Sequence, residues 1–319
     1  MLKKFPALSV EKENLHPRNL HRGGYDFKVL LKTAPELSNF LKINKFGSET
    51  IDFGDSRAVL ALNKAIIQHY YGIKEWDFPK GFLCPPIPGR VDYIHYAADL
   101  LSSTNGGKLT DGNKIRVLDI GMGANCVYPL LGSRIYNWNF VGTDINPKSI
   151  ESAQHIINFN GLEHKIQCRQ QVATNLIFKG IINKKEHYDL TICNPPFHVS
   201  AEQAVAGSTL KWKNLGVTRR KSEALNFGGQ NAELWCSGGE VEFISRMINE
   251  SEAFSSNCCW FTSLVSKKEN LPQLYRVLER IGAVTVKTID MAQGQKVSRV
   301  LAWSFLTKSA FDSWKVTRW

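Results

Sequence analysis

Four consecutive residues, Asn194-Pro195-Pro196-Phe197, combine a neutral amide, two imino acids and an aromatic ring. Proline fixes its own φ and pushes the residue before it into extended backbone, so Pro195 holds Asn194 open and the two prolines stiffen the loop. Such a loop keeps one side-chain amide, exposed carbonyls and an aromatic face in fixed relation. An exocyclic aromatic amine, such as N6 of adenine, carries two N–H donors. The side-chain oxygen of Asn194 and the carbonyl of Pro195 can accept both while Phe197 stacks on the ring; stacking of a base on an aromatic side chain contributes about 1–3 kcal/mol. Accepting those hydrogens draws the nitrogen lone pair out of conjugation, so that it can attack an electrophilic methyl in line. No strong base is needed beforehand, because the proton becomes more acidic once the nitrogen is alkylated. As a bare string the motif could also be an ordinary proline turn.

Two further features sit upstream. Asp119-Ile120-Gly121-Met122-Gly123 ends a short apolar run, and its glycines let the backbone turn tightly and approach a ligand. Asp144 ends the next such run, where a carboxylate can accept hydrogen bonds from both ribose hydroxyls of a nucleoside cofactor. A G-x-G alone also fits a simple tight turn. Cys126 stands where a third dinucleotide-binding glycine would fall, which disfavours pyrophosphate binding.

The elements that must carry these residues are legible from periodicity. Short apolar runs at 115–120 and 140–143, together with 165–169, 188–193, 259–265, 284–289 and 300–305, read as strands, and helices are expected over 147–160, 240–254 and 268–281. The alternation predicts a doubly wound, mostly parallel α/β sheet of seven strands with helices on both faces. In front of it, helices over 57–71 and 91–101 form an N-terminal helical extension, with 102–113 as a linker. The expected organisation is a basic N-terminal arm (1–50), the helical extension (51–110) and an α/β domain (111–319) interrupted by a long basic loop (198–239).

The chain has 319 residues, 40 Lys+Arg against 29 Asp+Glu, a net charge of +11, and 43% hydrophobic residues. This is globular composition, and the cationic surplus favours anionic partners, nucleic acid before membrane. The seven cysteines form no C-x-x-C and no zinc spacing, so no metal is expected and buried thiols in a reducing cytoplasm fit better than a disulfide framework. Met1-Leu2-Lys3-Lys4-Phe5-Pro6 lacks an apolar stretch of the secretory kind, and no run reaches the ~20 residues that span a bilayer. A cytoplasmic protein is expected, with a monomer as the simplest form.

The three chemical features fall at strand ends, where open α/β sheets bind ligands. Together with Leu118-Asp119-Ile120-Gly121-Met122-Gly123-Ala124-Asn125-Cys126-Val127-Tyr128-Pro129-Leu130, Pro86-Ile87-Pro88-Gly89-Arg90 and Leu301-Ala302-Trp303-Ser304-Phe305, the sequence resembles the bacterial 23S ribosomal RNA adenine N6-methyltransferases (the RlmF type) from about residue 15 to 307. These are class I S-adenosylmethionine-dependent enzymes, and a related eukaryotic branch methylates RNA hairpins. The resemblance implies Asn194, Pro195, Pro196 and Phe197 as the catalytic loop, Asp119, Gly121, Gly123, Asp144 and Asn194 around S-adenosylmethionine, and Arg90, just before a helix, on its methionine carboxylate. Asn175 or Thr174 would contact the cofactor's adenine, at a place where the family usually has an acidic residue.

The substrate implied is large-subunit ribosomal RNA. Lys211, Trp212, Lys213, Arg219, Arg220 and Lys221 could clamp its phosphates and stack on a base, or form a solvated loop. Arg18, Arg22 and Lys28 of the arm are a second candidate surface, or a solvated tail. N-P-P-F is shared with DNA adenine and protein-glutamine methyltransferases, so these remain alternatives, as does a non-catalytic RNA-binding protein on the same fold; Cys126 and the N-P-P-F loop weigh against a nicotinamide enzyme.

Overall fold

A computed structural model describes residues 15–197, 233, 235–293 and 296–319. Its N-terminal part begins with α1 (Phe27–Thr33), a hairpin of β1 (Leu41–Ile43) and β2 (Glu49–Ile51), then α2 (Ser56–Tyr71) and α3 (Ile87–Thr104). Asp55 caps α2 by accepting from the Arg57 N–H, and Gly72 ends it at φ +65°. Helix α3 is buried along most of its length. It starts a turn earlier than periodicity suggested, because Pro88 is tolerated where no intrahelical N–H is required. Arg90 therefore lies in the first turn of α3 and not ahead of the helix.

The main sheet follows as β3 (Arg116–Ile120), α4 (Val127–Tyr136), β4 (Asn139–Asp144), α5 (Pro147–Phe159), β5 (Ile166–Gln170) and β6 (Tyr188–Cys193). It is completed by α6 (Gly239–Ser251), β7 (Cys258–Val265), α7 (Leu271–Arg280), β8 (Thr285–Gln293), β9 (Lys296–Ser304) and α8 (Lys308–Arg318). The seven strands are ordered β5-β4-β3-β6-β7-β9-β8, and β9 alone runs against the others. This is the expected doubly wound, mostly parallel sheet. Every residue of β6 and β7 is buried, as befits central strands covered on both faces.

Successive residues feed opposite faces. Val117, Phe140 and Trp260 join the core beneath α2, α3, α4 and α5, whereas Leu118, Val141 and Phe261 join the core beneath α6 and α7. The first core runs unbroken from Phe27 to Trp314, so the helical extension and the α/β domain share one hydrophobic interior. The arm is also built in from Leu15 onward: Asn19 Nδ2 donates to Asp92 Oδ1 and to the Pro88 carbonyl of α3. The solvated-tail alternative does not hold for these residues.

Strand order reverses between β3 and β6, which pair directly with Ile120 opposite Cys193. The residues just beyond that pair are Gly121 and Asn194. The sheet thus brings the glycine turn and the N-P-P-F loop side by side at the crevice where such sheets bind ligands.

Candidate active site

The glycine turn after β3 is held by its neighbour β4. Gly121 and Gly123 have φ of +71° and +68°, a region that side chains with a Cβ disfavour. The Met122 N–H donates to the Thr143 carbonyl at 2.8 Å, and the Gly123 N–H to Asp144 Oδ2 at 3.0 Å. Asp144 Oδ1 accepts from the Asn146 N–H at 2.8 Å. Burial raises the Asp144 carboxyl above its ordinary value, and those backbone N–H groups oppose the rise. Asp119 differs from its assignment to the cofactor. It is wholly buried under the turn, does not line the cavity there, and neither carboxylate oxygen has a hydrogen-bond partner among the described residues. Burial first, then the charge of Asp144, pushes it well up, with Arg90 acting the other way.

Asn194 is positioned from α3. Tyr93, fully buried, bonds Thr262 Oγ1 at 2.7 Å and accepts the Cys193 N–H at 3.3 Å, which fixes the last residue of β6. The Oδ1 of Asn194 is buried and has no hydrogen-bond partner among the described residues. Asn194, Pro195 and Pro196 line a cavity of about 250 Å3 together with Gly121, Gly123 and Asp144. A second cavity of about 150 Å3 is lined by Phe197, Asn194 and Arg90 among others. Asn194 and Arg90 therefore stand in the wall common to both. Arg90 donates to Tyr128 Oη at 2.8 Å, and burial pushes that phenol up to about 12.

Other assignments fare unevenly. Thr174 lines the larger cavity, but Asn175 is exposed and does not. The side chain of Arg18 is engaged with Asp99 at 2.6 Å and with the His95 carbonyl, and Arg22 is half-buried; neither is a free surface cation. Lys211, Trp212, Lys213, Arg219, Arg220 and Lys221 lie outside the described residues. Periodicity gave no hint of Glu233, Trp235, Phe243 or Arg246, which close the larger cavity from the side of α6. Glu233 Oε2 accepts the Leu83 N–H at 3.1 Å. Trp235 Nε1 and Arg246 Nε are buried without partners among the described residues, so the cavity offers unused donors as well as the acceptor of Asn194. Among the described residues, no cluster of three or more His, Cys, Asp or Glu could hold a metal, and no helix is long and apolar enough to cross a membrane.

The strand order, the glycine turn tied to an acidic strand end, and the adjoining N-P-P-F loop define a Rossmann-like methyltransferase. Residues 9–307 match the model of a family described as RNA methyltransferase, and the chain belongs to that family. It is 55% identical over 308 residues to the ribosomal RNA large subunit methyltransferase F of Flavobacterium johnsoniae, covering 96% of this chain and 98% of that one. The protein of the same name from Photobacterium profundum is 51% identical over 336 residues, with 100% and 99% covered. Among solved structures, the human METTL16 catalytic domain in complex with a MAT2A 3′UTR hairpin superposes with a TM-score of 0.76 at 28% identity, over 92% of this chain and 96% of that one. The N-terminal domain of human METTL16 in complex with SAH gives 0.73 at 26% identity, over 92% and 99%.

Proposed function

We propose that this chain transfers the methyl group of S-adenosylmethionine to N6 of one adenosine in large-subunit ribosomal RNA, in the cytoplasm. The observation that carries the reading is the unpartnered Asn194 Oδ1, buried in the wall between two cavities. A buried amide oxygen left without a donor is costly unless a ligand supplies one.

The larger cavity suits the cofactor, which brings an electrophilic methyl on a sulfonium. The glycine turn admits it closely, Asp144 accepts from its ribose hydroxyls, and the guanidinium of Arg90 pairs with its carboxylate, an interaction of favourable bidentate geometry. The smaller cavity takes the target base. Asn194 Oδ1 and the Pro195 carbonyl accept the two N6 hydrogens, Phe197 stacks on the ring, and the lone pair turns toward the first cavity. With the cofactor bound, its sulfonium would supply the methyl and keep the carbon–sulfur electron pair, while this chain's part would be to hold the nitrogen in line and let its extra proton pass to water. Cations of the 198–239 segment, Lys211, Lys213, Arg219, Arg220 and Lys221, would hold RNA phosphates, and Trp212 would stack on a base.

Tritiated cofactor offered with deproteinised ribosomal RNA, intact subunits and DNA tests the substrate, followed by mapping of N6-methyladenosine. Label in one rRNA adenosine is expected; label in DNA alone, or in protein alone, overturns the reading. Asn194→Ala should lower turnover by roughly 10²–10³-fold while cofactor affinity stays within about threefold. Unchanged turnover would place the chemistry elsewhere.

A further inference from the structure

The smaller cavity is lined by two serines whose hydroxyls the chemistry above does not use. Ser266 follows the last residue of β7, and Ser298 lies on β9 opposite Met291 of β8. Both line the cavity with Asn194 and Phe197, against a buried apolar wall of Leu264 and Met291. Hydroxyls elsewhere on these strands are committed to backbone carbonyls: Thr262 to Thr191, Ser263 to Leu264 and Ser304 to Cys259. Those of Ser266 and Ser298 have no hydrogen-bond partner among the described residues and are half-buried. Ser266 is also held in place. Its N–H donates at 2.7 Å to Oε1 of the buried Glu240, whose Oε2 accepts from Asn270 Nδ2.

We infer that Ser266 and Ser298 read the edge of the target base by donating to N1, the ring nitrogen beside the amine that Asn194 holds. The inference rests on the adenine N6 chemistry proposed above. A nucleotide enters such a cavity with its sugar outward, so the six-membered ring goes in first and presents N6 and N1 together. A hydroxyl donor beside two acceptors matches that edge, N1 having one lone pair that either serine can serve. Guanine would set its O6 against the oxygens of Asn194 and Pro195 and bring a proton on N1. The apolar wall and Phe197 then contact the ring faces, so the hydroxyls are the polar groups left to tell one base edge from another.

The test uses the full chain and a synthetic RNA spanning the adenosine mapped above, with adenosine, 1-deazaadenosine or 7-deazaadenosine at that position. All three keep the amine. The wild-type chain is expected to lose about tenfold in kcat/KM on the 1-deaza RNA and little on the 7-deaza RNA. Ser266→Ala/Ser298→Ala should lose a similar factor on adenosine, show no further loss on 1-deazaadenosine, and keep wild-type cofactor affinity. Equal rates of the wild-type chain on adenosine and 1-deazaadenosine overturn the inference, whatever the variant does. So does a loss confined to the 7-deaza RNA, or losses that multiply when variant and analogue are combined. Failure to methylate the mapped adenosine itself would instead sink the proposed reaction, a separately visible result.

Discussion

The backbone N–H of Gly123 donates to Asp144 Oδ2, so the glycine turn and the carboxylate that the proposed reading sets against the cofactor's ribose are fixed by each other. The Asn146 N–H donates to the other oxygen. The carboxylate is thereby oriented before any ligand arrives.

Asp144→Asn replaces one of those acceptors with an NH2 that faces a backbone N–H. Cofactor affinity, measured by calorimetry, should weaken by roughly 10–100-fold, the range for a charge-assisted hydrogen bond. Because burial raises this carboxyl, wild-type affinity should fall as the pH drops through its raised value, where protonation removes the acceptor. The variant should lack that component.

Glu250 near the end of α6 supports the larger cavity, proposed above for the cofactor, and is not among its lining residues. Its carboxylate accepts the N–H groups of Ile177, Phe178 and Lys179 at 2.8, 2.8 and 2.6 Å, and Ile177 lines the cavity. Glu250→Ala should raise KM for S-adenosylmethionine about tenfold and leave kcat at saturation near wild type, since three donors lose one acceptor far from the transferred methyl. A fall in kcat with KM unchanged would assign the residue a different role.

The docked arm should be pH-sensitive. The rings of His16 and His95 stack with centroids 5.0 Å apart, beside Arg18, Asp99 and Tyr136. Burial, then the charges of His16 and Arg18, lowers His95 from its ordinary 6.5 to about 4, with Asp99 opposing. A histidine depressed in the folded state contributes stability above its unfolded value and loses it as the pH falls through the folded one. The free energy of unfolding should therefore decline between pH 6.5 and about 4, by about 1–2 kcal/mol after allowance for screening. His95→Gln should flatten that part of the profile.

How much of this was readable in advance depended on how each element is buried. Strand β6 and helix α5 fall nearly where expected, because apolar residues alternating at Tyr188, Leu190 and Ile192 and a proline-started amphipathic helix are strong local signals. Helix α4 went unseen: seven of its ten residues are buried, which leaves no polar face to mark a 3.6-residue period. Helix α1 and the β1–β2 hairpin are too short to show periodicity. In the site, Gly121, Asp144 and Asn194 were legible because strand ends concentrate chemistry. Phe243 and Arg246 were not, because a helix bordering a cavity has the same pattern as one covering a core. For Arg18 and Arg22, charge alone does not show that one cation is engaged by Asp99 and the other half-buried.

The far end of β6 gives a test that separates stability from catalysis. Asp189, fully buried, accepts from the indole N–H groups of Trp314 and Trp319 at 2.7 and 2.8 Å, from Arg318 Nε at 3.3 Å, and from the Arg116 N–H at 2.8 Å. Helix α8 is thus pinned to the strand that carries Asn194, but at the strand's opposite end. Trp314→Ala removes a buried indole and one of the donors to a buried carboxylate, and should cost about 3–5 kcal/mol in urea denaturation. Because Asp189 lies at the start of β6 and Asn194 just beyond its end, cofactor affinity of the folded fraction at low temperature should remain near wild type. A large loss of affinity in a variant that is still folded would mean that α8 helps to set the geometry of the N-P-P-F loop.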